Sequence, residues 1–274
     1  MPFRFLIAIL LVLVALPGAA ASEREGAADA QVIYVTMGVL DDDAINSASQ
    51  SFTLNLLVQF RWRDPRLAHD GPGAVRRQLK DIHAPRFLLL NRQRTWTSLL
   101  DVVDISPEGE ALYRMRLWGD FSQIMHLQSF PFDTHRFEVP AIAIPHTDDD
   151  IVLALDPEAD SLMADELSVA DWRVIDWSVQ AQDVEITGGH PEQAVVFAFE
   201  ASRQSGYYLI KYIIPLVLIV AMSWVVFWID PSEAGSQLSV AVTAVLTLIA
   251  YHIALTGKLP DISYLTRMDL FLFG

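Results

Sequence analysis

The pattern of apolar and polar positions divides the chain into three regions. A short apolar run covers residues 5–16. Stretches that alternate, or that are rich in β-branched and aromatic residues, then recur up to about residue 203 with Pro and Gly breaks between them. Two long apolar stretches follow, at residues 207–229 and 238–255. This order predicts an exported β domain joined to membrane helices.

The first region has the features of a secretory signal peptide. A positive charge at Arg4 precedes the apolar run, and small residues end it at Ala21. This arrangement predicts a signal peptide over residues 1–21 with cleavage near Ala21. The apolar run is too short to cross a bilayer comfortably, although an uncleaved anchor is the alternative. The signal places the residues that follow outside the cytoplasm.

Residues 22–205 are predicted to form one mainly β domain. Strand-like runs separated by turn signals at this spacing are typical of an immunoglobulin-like β-sandwich. A short helix is expected over residues 73–82, because Val75, Leu79 and Ile82 recur at helical spacing. The strand candidates are residues 31–39, 51–62, 99–105, 111–118, 137–144, 151–155, 172–181 and 194–201.

Residues 206–274 are predicted to form the membrane part. The stretches at 207–229 and 238–255 are each long enough to cross the hydrocarbon core, and the tight turn between them makes a helical hairpin. The signal directs that turn to the cytoplasm. A third helix is expected from about residue 264 and breaks off at Gly274, so the chain is expected to be truncated in that helix.

Composition agrees with a soluble part joined to a membrane part, since 52% of the residues are hydrophobic and 19% are charged. The net charge of −15 argues against a nucleic-acid partner. There is no cysteine, hence no disulfide framework. The histidines have no zinc-ligand spacing and there is no phosphate loop, so we expect neither an enzyme nor a cofactor. Residues 148–150 are acidic and are either a calcium site or a solvated loop.

The second membrane helix carries a graded stripe. Five residues at helical spacing change from hydroxyl to apolar along one face, which favours a pore wall. The alternative is that the hydroxyl groups bond to their own backbone or to a neighbouring helix. The stripe consists of Ser239, Thr243, Leu246, Ala250 and Ile253.

Several motifs, in a fixed order, resemble those of one family. They are the segment Phe-Arg-Trp-Arg-Asp-Pro-Arg-Leu at residues 60–67, Phe-Pro-Phe-Asp at 130–133, and Arg203 followed by Tyr207, Tyr208, Pro215, Ser223 and Trp224. The chain is thereby similar to the pentameric ligand-gated ion channels, most closely to the bacterial members that lack the cysteine pair.

This resemblance implies an extracellular ligand-binding sandwich of the ligand-gated channel type. The second helix would line a pore for inorganic ions in a ring of five identical subunits. The protein would be a multi-pass protein of the inner membrane, in contact with lipid, with its N-terminal domain in the periplasm or outside the cell. A small molecule or protons would open it. The alternative is a non-conducting, membrane-anchored binding subunit or sensor.

The resemblance also assigns roles to particular residues. Leu246 would form the central gate. Glu233 would favour cations at the cytoplasmic mouth; the alternative is a solvated turn residue that interacts with the N-terminus of the helix. Asp133 would pair with Arg203 to couple the two parts. Lys258, after the pore helix, would either meet Asp42 in an acidic loop at residues 41–43 or form an ordinary surface ion pair.

The ligand site is less marked. Arg116, on a predicted strand, is a candidate partner for a ligand carboxylate or an ordinary exposed charge. His252 is either a proton sensor or a histidine satisfied by a neighbouring helix. Few aromatic residues occupy the family's binding positions, so an amine agonist is not expected.

Overall fold

The structure, a computed structural model, describes residues 30–145, 150–186, 190–256, 264–268 and 270. Within these residues, twelve strands in two sheets precede two apolar helical spans. This confirms the predicted fold class, a β-sandwich followed by membrane helices. The strands are β1 Gln31–Asn46, β2 Ser51–Arg63, β3 Val75–Gln78, β4 Arg86–Leu89, β5 Arg92–Thr97, β6 Val102–Ile105, β7 Glu110–Ser122, β8 Thr134–Ile144, β9 Ile151–Leu155, β10 Leu162–Met163, β11 Trp172–Ile186 and β12 His190–Arg203.

The strands form two sheets that face each other. Sheet A has the order β10-β1-β2-β7-β6-β3, with β5 beside β7 and β9 beside β1. Sheet B has the order β11-β12-β8-β4. Most neighbours are antiparallel, but β9 and β10 run parallel to β1.

Strict alternation along the long strands builds the core. On β2, every second residue from Phe52 to Trp62 is at most 1% exposed, because successive side chains of a strand point to opposite faces. The inner faces meet around Phe52, Phe137 and Phe199, whose ring centroids lie 5.0 to 5.8 Å apart. Each such side chain contributes about 1.5–3 kcal/mol through burial. This core holds the sandwich together without a disulfide.

The membrane part is a pair of packed helical spans. The first span, Ser205–Trp228, is long and apolar enough to cross a membrane. It consists of α1 Ser205–Tyr208, a π-helical turn Leu209–Ile213, α2 Ile214–Trp224 and a 3₁₀ turn Val225–Trp228. Pro215 has no backbone N–H to donate, which accounts for the irregular hydrogen bonding just before α2. The second span lies within α3, Ala234–Thr256, which packs against α2.

Two local predictions are wrong. The helix predicted over residues 73–82 is instead the edge strand β3 and a single 3₁₀ turn, Leu79–Asp81. Pairing of β3 with β6 overrides the helical spacing of its apolar residues. The acidic run at residues 41–43 is not a loop but lies inside β1, where two bulges accommodate it.

Candidate functional site

The end of β12 meets the first span at a buried ion pair. Arg203 Nε donates to Asp133 Oδ1 at 2.8 Å, and Arg203 Nη2 donates to Asp133 Oδ2 at 2.9 Å. The two side chains are only 4% and 2% exposed. Two parallel charge-assisted hydrogen bonds fix both distance and orientation. The structure therefore brings together the two residues that the sequence analysis paired.

Arg203 is enclosed by aromatic rings from three different segments. Its guanidinium carbon lies 4.1 Å from the ring centroid of Trp172, 4.9 Å from that of Phe130 and 5.6 Å from that of Tyr208. Arg203 Nη2 also donates to Ser47 Oγ at 2.7 Å. The rings attract the cation through their electron-rich faces. Arg203 thus joins the turn after β1, the loop before β8, the start of β11 and α1; we call these groups the junction cluster.

His135 completes the hydrogen bonding of the Asp133 carboxylate. Its Nε2 donates to Asp133 Oδ2 at 2.8 Å. Burial by itself raises the pKa of Asp133, but the hydrogen bonds from His135 and Arg203 outweigh it and lower that pKa to about 2. Asp133 is therefore ionised at any physiological pH, and the junction cluster carries a permanent salt bridge.

A second contact joins the sandwich to the residues after α3. The backbone N–H of Leu127 donates to Tyr264 Oη at 2.9 Å. Met268, 5% exposed, packs into the main core cluster. Lys258 lies outside the described residues, so its contact with Asp42 stays a prediction. Asp42 itself is wholly buried in β1.

The predicted pore residues lie on the free side of α3. Ser239, Thr243, Leu246, Ala250 and Ile253 are all exposed, and at 100° per residue they fall within about 80° of arc. Ala244, on the side that packs against the first span, is 4% exposed. An adjoining exposed row is entirely apolar and consists of Leu238, Val242, Val245 and Ile249. The free side of α3 therefore has one graded and one purely apolar row.

Two hydroxyl groups of α3 bond to their own helix. Thr243 Oγ1 donates to the Ser239 carbonyl at 2.8 Å, and Thr247 Oγ1 donates to the Thr243 carbonyl at 2.7 Å. These bonds agree with the alternative that the hydroxyl groups bond to their own backbone. Each hydroxyl oxygen nevertheless keeps lone pairs that can accept from, or bind, a group outside the helix. Backbone bonding and a pore-facing role are thus compatible for Thr243.

Glu233 lies immediately before α3 and caps it. Its carbonyl accepts from the backbone N–H groups of Ser236 and Gln237 at 3.0 and 3.1 Å. Its Oε2 accepts from Ser236 Oγ at 3.1 Å. A carboxylate at this end also interacts favourably with the helix dipole. Glu233 remains exposed, so capping and contact with passing ions are not exclusive.

Arg116 lies on the outer face of sheet A beside an aromatic pair that the sequence analysis missed. It is exposed, and its Nε donates to Asn55 Oδ1 at 3.3 Å. Two residues further along β7, Trp118 is 45% exposed and packs on Trp96, which is 57% exposed, with ring centroids 5.0 Å apart. Trp118 Nε1 donates to Asp43. Cross-strand pairing of β5 with β7 creates this pair, and only the register reveals it.

The remaining candidates are not assembled into a site. His252 is half-buried on α3. Asp150 is exposed, and the other two members of the acidic run 148–150 lie outside the described residues. Among the described residues, no three His, Asp or Glu side chains are grouped closely enough to hold a metal ion.

Two family models match the chain. One, described as the neurotransmitter-gated ion-channel ligand binding domain, matches residues 21–205. The other, described as the neurotransmitter-gated ion-channel transmembrane region, matches residues 212–274. The chain therefore belongs to the neurotransmitter-gated, or pentameric ligand-gated, ion-channel family, which confirms the resemblance seen in its motifs. It is a membrane protein with an extracellular ligand-binding domain, a ligand-gated ion-channel subunit and not an enzyme.

Proposed function

We propose that five copies of this chain form a cation-conducting channel in the inner membrane, with residues 22–205 outside the cytoplasm and residues 206–274 in the bilayer. The graded row on α3 is the observation that carries the proposal. An ion path needs oxygen ligands, which Ser239 and Thr243 supply, and a closed state needs an apolar constriction, which Leu246 and Ile253 supply. The purely apolar row beside it suits contact with a neighbouring subunit.

The gate is tested by recording from the purified full-length protein in planar bilayers. Leu246→Ser removes about 1.4 kcal/mol or more of closed-state stabilisation, so the resting open probability rises about tenfold or more. Val245→Ser, an equally exposed change one residue away in the apolar row, is the matched control. Equal resting conductance in both variants would contradict the gate. Silence of intact pentamers under every ligand and pH tried would favour the non-conducting sensor.

Cation selectivity is supported by charge. No Lys or Arg lies between Asp230 and Gly257, whereas Asp230 and Glu233 stand at the cytoplasmic end of α3. The net charge of −15 raises the local concentration of cations outside. We expect the reversal potential in a KCl gradient to follow K⁺, and Glu233→Gln to reduce cation conductance. A reversal potential that follows Cl⁻ would overturn this part of the proposal.

The junction cluster suits transmission between the two parts. Arg203 is the last residue of β12 and bonds Asp133, so a movement of the sandwich reaches the first span through a rigid two-point contact. Tyr264 provides a second path, since it bonds Leu127 in the same region of the sandwich. We assign agonist-to-pore coupling to these contacts.

The agonist is proposed to be a small molecule or protons bound to the extracellular domain. Arg116 and the neighbouring Trp118 and Trp96 offer a cation and an aromatic surface for a small carboxylate. Arg116→Gln should then weaken responses to small carboxylates, measured as a shift in the concentration for half-maximal current. Arg114→Gln, two residues away on the same face and paired with Asp104, is the control. Equal shifts in both would remove Arg116 from the site.

A further inference from the structure

β1 contains a buried carboxylate that lacks a partner. Asp42 is 0% exposed, and neither of its carboxylate oxygens has a hydrogen-bond partner among the residues that the structure describes. It stands opposite Leu54 of β2, which is itself 0% exposed, so the Asp42 side chain lies on the inner face of sheet A. An ionised carboxylate in such a place is far less stable than one in water, which favours the protonated form.

The two neighbouring acids are differently placed. Asp41 accepts from Ser168 through the backbone N–H and the hydroxyl, each at 2.8 Å. Asp43, which is exposed, accepts from Trp118 Nε1. Of the three, Asp42 alone is enclosed by the core, and the negative charges on either side make a further charge at Asp42 still less favourable. A hydrated cation has no path to a fully buried carboxylate, but a proton needs only a transient opening.

Few charged groups face Asp42 from the packed elements. Its cross-strand neighbours Thr53, Leu54 and Asn55 on β2 are uncharged. On sheet B, His135 and Arg203 occupy inward-facing positions, and both are bonded to Asp133. Asp183 and Glu185 of β11 share that parity but are exposed, at the end of the strand far from Arg203. The other charged groups on the adjacent segments lie at the surface or bond elsewhere, namely Asp120, Asp165 and Glu166.

We propose that Asp42 is a proton-binding site of the extracellular domain, protonated in the packed sandwich and released when the end of β1 loosens. Burial, together with the charges of Asp41 and Asp43, raises the pKa of Asp42 to about 7, while the backbone N–H of Ala44 acts in the opposite direction. The proton is therefore exchanged near neutral pH.

The position of Asp42 links this proton to the junction cluster. Register shifts lie on both sides of it, between Val39 and Asp41 and between Asp42 and Ala44. Bulges weaken the pairing of a strand locally. Five residues further on, Ser47 accepts a hydrogen bond from Arg203. Deprotonation thus loosens the part of β1 that leads to Arg203. The statement that protons thereby influence channel opening rests on the proposed function; the proton site itself does not.

Hydrogen exchange measures the proton site directly. In a loosened β1 the Asp42 carboxyl has an ordinary pKa of about 3.9, so opening becomes about tenfold easier for each pH unit up to the pKa of the packed state and then levels off. The full-length protein in nanodiscs is exchanged from pH 5 to pH 8, and rates of peptides covering residues 40–50 are corrected for intrinsic exchange. We expect about a fiftyfold loss of protection between pH 5 and pH 7, since the packed state is already half titrated at pH 7.

Two variants test the assignment. Asp42→Asn, which mimics the protonated form, should make protection independent of pH, whereas Asp160→Asn, at an exposed carboxylate of the same domain, should keep the wild-type profile. A flat wild-type profile, or a pH dependence that survives in Asp42→Asn, overturns the proton site. If exchange behaves as expected but bilayers show no current, the proton site stands and the proposed channel function fails. If acid opens the channel but the exchange rates do not depend on pH, the channel function stands and the proton site at Asp42 fails.

Discussion

Arg203 holds together segments that are up to 156 residues apart in the chain. It does so because one guanidinium supplies several donors in a fixed plane and two faces for aromatic rings. Lysine offers the same charge without that geometry. The junction cluster thus depends on the residue type as well as on its charge.

Removing the cation should leave a buried anion unpaired. We expect Arg203→Gln to lower the free energy of unfolding by about 3–5 kcal/mol, since Asp133 then keeps its charge without the guanidinium. Thermal and denaturant unfolding of the purified protein measure this loss. Arg136→Gln breaks the exposed pair with Glu138 and should cost less than about 1 kcal/mol. Losses of similar size in the two variants would show that the buried pair stabilises the fold no more than the exposed pair does.

Asp133 should make stability depend on acid pH. Because the folded state lowers its pKa to about 2, the stabilisation is complete above an unfolded pKa of about 4 and is lost as the pH falls towards 2. The loss amounts to about 2 kcal/mol. Unfolding curves between pH 5 and pH 2 measure it. The Asp133→Asn variant should lack this loss of stability between pH 5 and pH 2. If the variant keeps the full loss, other carboxylates are its source.

At the scale of elements, β7 shows how pairing places side chains where sequence spacing cannot. Its alternation was predicted for residues 111–118, and the strand extends over Glu110–Ser122. The contact of Trp118 with Trp96 depends on β5 lying close against β7, and Gly119 permits that approach. A Cβ atom built at Gly119 would lie 2.6 Å from the Thr95 Cα atom.

Gly119→Ala should therefore force β5 away from β7. We expect a loss of about 1–3 kcal/mol in the free energy of unfolding and a change in near-ultraviolet circular dichroism from the separated tryptophan pair. Gly73→Ala is the control, because its Cβ would meet no atom within 4 Å among the described residues. Unchanged stability and spectrum in Gly119→Ala would contradict the close approach of these strands.

For the whole molecule, the exposed apolar surface of α3 bears on the proposed pentamer. Leu246 and Ile253 are 61% and 68% exposed, and lipid can cover them but cannot solvate a path for ions beside Ser239 and Thr243. In the proposed pentamer, association around an axis would cover the apolar row and enclose the graded one. A two-fold dimer would use the same single face on both subunits, whereas a closed ring uses two different, complementary faces of each subunit.

Native mass spectrometry of the protein released from detergent should give a mass five times that of the processed chain. The apolar row of α3 contributes to this assembly, so Val242→Asp should shift the distribution towards smaller species. Ser239→Ala, in the graded row, should leave the five-chain assembly as the main species. A monomer or dimer as the main wild-type species would contradict the pentamer.

Much of this architecture was predictable because its causes are local. Alternation with period two marks the long strands, and apolar length marks the two spans. The ordered motifs from residue 60 to Trp224 identified the family. Arg203 and Asp133 were paired from those motifs alone, whereas Trp172, Phe130 and Ser47 around them gave no signal, since their roles arise from contacts between distant segments.

The sequence by itself determined the elements, their order and the family, because hydrophobic periodicity and motif order act along the chain. Only the tertiary structure decided which acid of residues 41–43 is buried, since the first bulge of β1, between Val39 and Asp41, shifts the parity of the strand and turns Asp42 inward. Only the tertiary structure likewise placed Trp96 on Trp118 and enclosed Arg203 in aromatic rings. Cross-strand register and packing between sheets set these contacts, and neither leaves a periodic trace in the chain.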